Sequence, residues 1–206
     1  MDTFAAGAFE FGEARLVPVE VYTANYRVTG KLRTRLSRVA EILNQLGGTH
    51  VALDEATVIE HGDTASQQAQ HVFVPLGEIL VMIADESRAQ PRDEMRIPKR
   101  PVRVELALPP LRVRGTMYVA RGSTAVDGLL MGSDRFLPVT DASITSLPHP
   151  ELARNAPALA VERERAQLII VEEDEQPEEL LAELIDERTA ASWLRPEPTS
   201  GTPESV

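Results

Sequence analysis

Acidic residues recur at matching places in the two halves of this chain: Leu53-Asp54-Glu55-Ala56 in the first and Val139-Thr140-Asp141-Ala142 in the second. If the halves faced each other across a twofold axis, Asp54 and Asp141 would form a carboxylate pair of the kind that does general acid–base work, and a hydrolase would follow. The same residues suit a turn or bulge in which acidic side chains bond nearby amides, and that is the expected reading. His61, Asp63 and His71 could ligate a metal if their loop folded back on itself, but no helical or strand spacing converges them, so a solvated loop is expected. His50 and His149 have no evident partner. The absence of cysteine removes disulfides, thiolate nucleophiles and cysteine-ligated metals together. No serine sits in a nucleophile elbow, and Gly47-Gly48 ends a helical pattern rather than opening one as a phosphate loop would. The chain therefore reads as a non-enzymatic protein with no cofactor and no metal. A carboxylate-based hydrolase is the third reading, resting on Asp54 and Asp141 alone.

Binding chemistry is better supplied. A stretch rich in proline and arginine, residues 87–101, carries Arg96, Lys99 and Arg100, with Arg103 just beyond, and these could contact nucleic acid or an acidic surface. Against nucleic acid stands a net charge of −11, of which residues 162–206 hold −9, and an aromatic content of 4% that offers no stacking platform. A solvated, extended connector is the simpler account. Near the C-terminus, Pro177-Glu178-Glu179 reads as an acidic helix start. Leu180, Leu181, Leu184 and Ile185 then mark one apolar face, with Trp193 further along. That helix, residues 174–194, docks either on the chain's own core or on another protein, and residues 195–206 read as a disordered tail.

The elements that must position these groups come from an internal repeat. Val19 through Gly30 recurs loosely as Val104 through Gly115, at an offset of 85 that grows to 86 at Glu55/Asp141 and 87 at Val81/Leu168. Residues 1–16 read as flexible, and residues 17–86 and 102–173 form two units of roughly 70 residues, small enough to gain from packing together. Within the first, Val17-Val19-Val21 and Tyr26-Val28-Gly30 alternate with polar residues as half-buried strands do, with a turn at Ala24-Asn25. Leu36, Val39 or Ala40, Leu43 and Leu46 have helical spacing, with Ser37 as N-cap. A strand from His50 to Ile59, interrupted at Asp54-Glu55, precedes a loop from Gly62 to Gln70. Val72–Pro75 and Glu78–Ala84 close the unit. The second unit reads the same way, with a helix near Thr124–Met131.

This repeat resembles the Sm-like small barrel of the Sm, Lsm and Hfq proteins. The matching residues are Val19-x-Val21, Val28-x-Gly30-x-Leu32, Leu53-Asp54-x-Ala56 and Ile79 to Ile83, and their counterparts Val104-x-Leu106, Val113-x-Gly115-x-Met117, Thr140-Asp141-Ala142 and Leu168 to Ile170. Glycine in a strongly bent strand relieves crowding where a small barrel turns its corner. The resemblance implies a mainly β fold of two tandem Sm-like or SH3-like barrels, each with an inserted helix, plus the C-terminal helix. It also implies assembly through edge strands, so that two fused copies make a pseudo-dimer, or three chains a six-barrel ring. The family's RNA site is not carried over. The loop that supplies its Asp and Asn is replaced by the segment Ser37–Asn44, Leu130 stands where Asn44 would recur, and no Arg-Gly pair precedes either closing strand. The repeat is also similar to bacterial domains without an assigned function that share the Arg35-Leu36-Ser37 to Leu43-Asn44 pattern. The leading expectation is a cytoplasmic interaction or scaffold module binding protein, including copies of itself, with no membrane segment. RNA binding of the Sm-like type is the alternative.

Overall fold

The computed structural model describes residues 14–84 and 99–172, apart from 122, 125, 126 and 128–131. The first half opens with the hairpin β1 (Arg15–Tyr22) and β2 (Tyr26–Thr34). Thr23 makes its turn, its Oγ1 accepting the amides of Asn25 and Tyr26 at 3.3 and 2.9 Å. A short helix, α1 (Val39–Gln45), buries Val39, Ala40, Ile42 and Leu43. It starts after Arg38 with no side-chain cap, so Ser37 does not serve as N-cap, and extended backbone at Leu46 ends it before Gly47 is reached. β3 (His50–Glu60) and β4 (Ser66–Pro75) follow, then a 3₁₀ turn (Leu76–Glu78) and β5 (Val81–Ala84).

The second half repeats the order with β6 (Lys99–Leu108), β7 (Leu111–Ala120), β8 (Phe136–Thr145), β9 (Arg154–Glu162), a 3₁₀ turn (Arg163–Arg165) and β10 (Leu168–Glu172). The expected helix at 124–131 lies largely outside the described residues. Thr124 Oγ1 accepts the Asp127 amide at 3.0 Å, as a helix N-cap does. The expected C-terminal helix and tail, and residues 1–13 and 85–98, also lie outside the described residues.

Two boundaries differ from the sequence reading. Ser66–Gln70, read as loop because it is polar, is strand: its residues are almost all exposed, so no apolar alternation marks it. Lys99, Arg100 and Pro101, read as connector, begin β6 and pair with Ala120, Val119 and Tyr118.

All ten strands belong to one antiparallel sheet in the order β10-β6-β7-β8-β9-β5-β1-β2-β3-β4, with β10 and β4 at its two ends. The expected mainly β fold is present, and the two halves are hydrogen-bonded into one sheet through β5 and β9, a sheet that does not close on itself. The register of the halves corresponds pair by pair. Val19 faces Gly30 as Val104 faces Gly115, and Lys31 faces Asp54 as Thr116 faces Thr140. Asp54 faces His71 as Thr140 faces Ala158, and Val19 faces Ala84 as Val104 faces Val171. An offset of 85 therefore holds in the first two strands, 86 in the third and 87 in the fourth and fifth.

Each half carries its own apolar cluster, but the clusters trade residues. Tyr22, Leu80 and Val81 of the first half sit in the cluster of the second. Phe136 and Ala160 of the second sit in that of the first, beside α1.

Candidate functional site

The acidic residues occupy bulges. The β2–β3 register shifts between Thr29 and Lys31, where Glu55 takes a φ of 50°, and the β7–β8 register shifts between Arg114 and Thr116, where Asp141 takes a φ of 49°. An extra residue in left-handed backbone bends the strand. The bend brings β3 and β8 onto the glycines opposite. A Cβ on Gly30 would meet Leu53 Cβ at 3.1 Å and the Asp54 carbonyl at 3.2 Å, and one on Gly115 would meet Val139 Cγ1 at 2.6 Å and the Thr140 carbonyl at 2.8 Å. Around the first bulge Asp54 Oδ1 holds His71 Nδ1 at 2.9 Å, and Glu55 pairs with Lys31. Four strands separate β3 from β8 in the sheet, so Asp54 and Asp141 do not form the face-to-face pair a hydrolase reading needs.

The histidines diverge in the same way. His71 goes to Asp54, Asp63 accepts the Ala65 amide at 3.0 Å, and His50 Nδ1 lies 2.8 Å from Thr49 Oγ1. His61 instead meets His149, a pairing between residues too distant in the chain for the sequence to signal; their ring centroids are 5.4 Å apart. His61 Nε2–H donates to the Thr23 carbonyl at 3.1 Å, which leaves Nδ1 buried without a partner. Burial is the main cause holding the His61 pKa below its usual value, and the His149 ring adds to it. Glu151 sits 3.3 Å from His149 Nδ1 and accepts the Gly62 amide at 2.9 Å. Its pKa is lowered chiefly by a hydrogen bond from its own backbone amide, with the Gly62 amide and His149 reinforcing it. Among the described residues no group of three or more His, Asp or Glu is placed to hold a metal ion.

This histidine pair is part of a larger joint between the halves. Val81, Met82 and Ile83 of β5 pair with Val161, Ala160 and Leu159 of β9. The Glu162 amide donates to the Leu80 carbonyl at 3.0 Å. Asn44 on α1 acts as a surrogate strand residue, its Nδ2 donating to the Phe136 carbonyl at 2.8 Å and its Oδ1 accepting the Phe136 amide at 2.9 Å. Both polar groups of Asn44 are thus spent inside the fold. Buried Glu162 is held by Arg135 at 3.1 Å. Glu20 accepts the hydroxyl of buried Tyr22 at 2.8 Å and lies 3.3 Å from Arg154 of the second half. Burial, then the Glu20 carboxylate, push the Tyr22 pKa upward.

The two end strands of the sheet, β4 and β10, expose apolar side chains. Phe73 on β4 is 67% exposed, and Leu168 and Ile170 on β10 are 61% and 49% exposed. Their structural counterparts at the internal joint are Ala160 and Val81, both fully buried, and Ile83, which is half-buried. Beside β4 lies a cleft of about 470 Å³ lined by Tyr26, Val28, Val58, Val72, Val74 and neighbouring residues. Unpaired strand backbone with exposed apolar side chains is a template for another strand.

Lys99 and Arg103 are exposed on β6, whereas Arg100 is half-buried and donates to the Ser123 carbonyl at 3.3 Å. The next exposed cations, Arg112 and Arg114, are engaged by Glu105 at 3.0 and 2.8 Å. Hydrogen bonds from Arg114, then Arg112, hold the Glu105 pKa below the ordinary carboxylate range. Arg96, Leu180, Leu181, Leu184, Ile185 and Trp193 lie outside the described residues. No helix among the described residues is long and apolar enough to cross a membrane. No family model, curated protein or solved structure matches the chain.

Proposed function

We propose that this protein is a non-enzymatic interaction module, in which each half is a small Sm-like barrel repeat and the binding surfaces are the outer strands β4 and β10. The observation that carries this reading is the exposure of Phe73, Leu168 and Ile170 on β4 and β10, the two end strands of the sheet among the described residues. The repeat reading draws support from the equal register of the halves and from a glycine facing a bulge in each. Among the described residues, Asp54 and His71 bond to each other at a bulge, Asp63 accepts the Ala65 amide, and His61 donates to the Thr23 carbonyl.

The test is affinity purification of the full chain from its native lysate, with wild type compared with an edge variant, Phe73→Glu plus Ile170→Glu. The expected result is protein recovered in fixed proportion with the wild type, little nucleic acid at moderate salt, and loss of that protein from the variant. Nucleic acid that persists in moderate salt and is lost on Lys99→Glu plus Arg103→Glu would overturn this reading in favour of an RNA binder.

A further inference from the structure

We infer that the contact between His61 and His149 is an acid-released latch, which fastens the β3–β4 turn to the β8–β9 loop while the His61 ring is neutral and frees the turn when that ring takes up a second proton.

The contact joins parts of the molecule that the sheet keeps apart. Three strands, β5, β1 and β2, lie between β9 and β3, yet the turn after β3 and the loop after β8 meet. The two rings lie 5.4 Å apart, tilted by 47°, and the Gly62 amide donates to the Glu151 carboxylate at 2.9 Å. Gly62 has a φ of 82°, and a Cβ there would sit 3.5 Å from two atoms of the His149 ring, so glycine both makes the turn and lets the ring approach. Underneath, the His61 amide donates to the Asn25 carbonyl at 2.8 Å and its ring to the Thr23 carbonyl at 3.1 Å. One turn therefore holds both the β1–β2 turn and the second half.

The two sides of the latch are unequally fixed. The loop carries Pro148 and Pro150, buries Leu152, and is pinned by Ser146, whose hydroxyl donates to the Pro110 carbonyl at 2.9 Å and accepts the His149 amide at 3.3 Å. The turn has residues 62–65 exposed, and its remaining bonds are internal: the Asp63 amide to the Glu60 carbonyl and the Ala65 amide to the Asp63 carboxylate, both at 3.0 Å. On release it is the turn that moves.

Protonation acts on one ring more than the other. The groups facing His61 are His149 and Glu151 from the loop, Arg27 from β2 and the Thr23 carbonyl from the β1–β2 turn. A proton on His149 Nδ1 has Glu151 at 3.3 Å to receive it. A proton on His61 Nδ1 is buried with no acceptor, and the resulting charge faces the Arg27 guanidinium. Burial disfavours that charge further, which agrees with the lowered pKa of this ring. The charged ring is better solvated outside, so opening takes up one proton and grows as pH falls below about 6.5.

Thr23 and Asn25, which the latch clamps, line the cleft beside β4. Acid would thereby act on the surface assigned to binding; that use rests on the docking reading, whereas the latch itself does not.

Amide hydrogen exchange of the full chain between about pH 8 and about pH 5 tests this, with rates corrected for intrinsic exchange. Protection of the His61 and Gly62 amides should fall by up to about tenfold per pH unit below about 6.5, while the Glu162 amide, which donates to Leu80 in the joint, keeps its protection. In His61→Asn, shown to be folded by circular dichroism, the pH dependence should disappear. Should that variant not fold, imidazole nitrogen resonances of wild type decide: His61 must be the Nε2–H form at neutral pH and titrate together with the exchange step. Flat protection at His61 and Gly62, an equal fall at Glu162, or an unchanged slope in His61→Asn would each overturn the latch. A latch found where the lysate experiment recovers no edge-dependent protein would remove only its use in binding; such a protein recovered with flat exchange would keep the interaction module and remove the latch.

Discussion

His61 illustrates how a residue type that suggests metal chemistry is used for something else. Its Nε2–H is committed to the Thr23 carbonyl, and its Nδ1 is buried with no acceptor near it. A second proton would have to sit on that nitrogen, so the fold favours the neutral ring. The groups around it are His149, Glu151 and Arg27, with burial the leading cause of the lowered pKa. The unfolded chain therefore binds more protons than the folded one, and stability rises with pH in that window. The contribution is present above the ordinary histidine pKa of about 6.5 and is lost as pH falls through the folded value. We expect the melting temperature to drop between neutral pH and the acid side of that window, and the drop to shrink in His61→Asn. An equal pH slope in variant and wild type would mean that another group sets it. The histidine pairing was not legible beforehand, because nothing local links residue 61 to residue 149. The Asp54–Glu55 bulge was legible, since two acidic residues interrupt an otherwise apolar strand.

Strand and bulge have to be considered together, because the glycine opposite each bulge is what lets the bend occur. The space available differs between the halves. At Gly115 a Cβ would fall 2.6 Å from a Val139 methyl and 2.8 Å from a carbonyl oxygen, whereas at Gly30 the nearest atoms are at 3.1 to 3.3 Å. Gly115→Ala should destabilise by about 2–3 kcal/mol and Gly30→Ala by only about 1 kcal/mol, in keeping with the cost of overpacking. Chemical denaturation would settle the order, and equal losses would show that both bulges relax alike. At this scale the sequence was read well where one face is buried: alternation marked β1 and β2, and the repeat carried that reading to β6 and β7. It was silent on Ser66–Gln70, where hydrogen bonds to β3 make a strand that has no core face. It also placed the helix cap at Ser37, a strong capping residue, while the backbone turns into the helix only after Arg38.

Taken whole, the molecule builds the repeat seen in the sequence into one continuous sheet. The offsets of 85, 86 and 87 were legible, and they set the register of every corresponding strand pair. The pairing of β5 with β9 was not, because each strand has the same local pattern whether its neighbour belongs to its own half or the other. What joins the halves is written in single residues that break the repeat. Tyr22 has Ala107 as its counterpart, and Asn44 has Leu130.

The exchange of Tyr22, Leu80 and Val81 against Phe136 and Ala160 has a practical corollary. Cut between residues 85 and 98, the chain would yield two fragments, each missing side chains that complete its interior. Produced separately, each should be poorly folded by near-ultraviolet dichroism and prone to precipitate. Produced in the same cell, they should recover one another as a soluble stoichiometric complex. Fragments that each fold independently would show the traded side chains to be dispensable. Fragments that recover one another in this way would serve as a split pair whose reassembly reports when two fused partners come together.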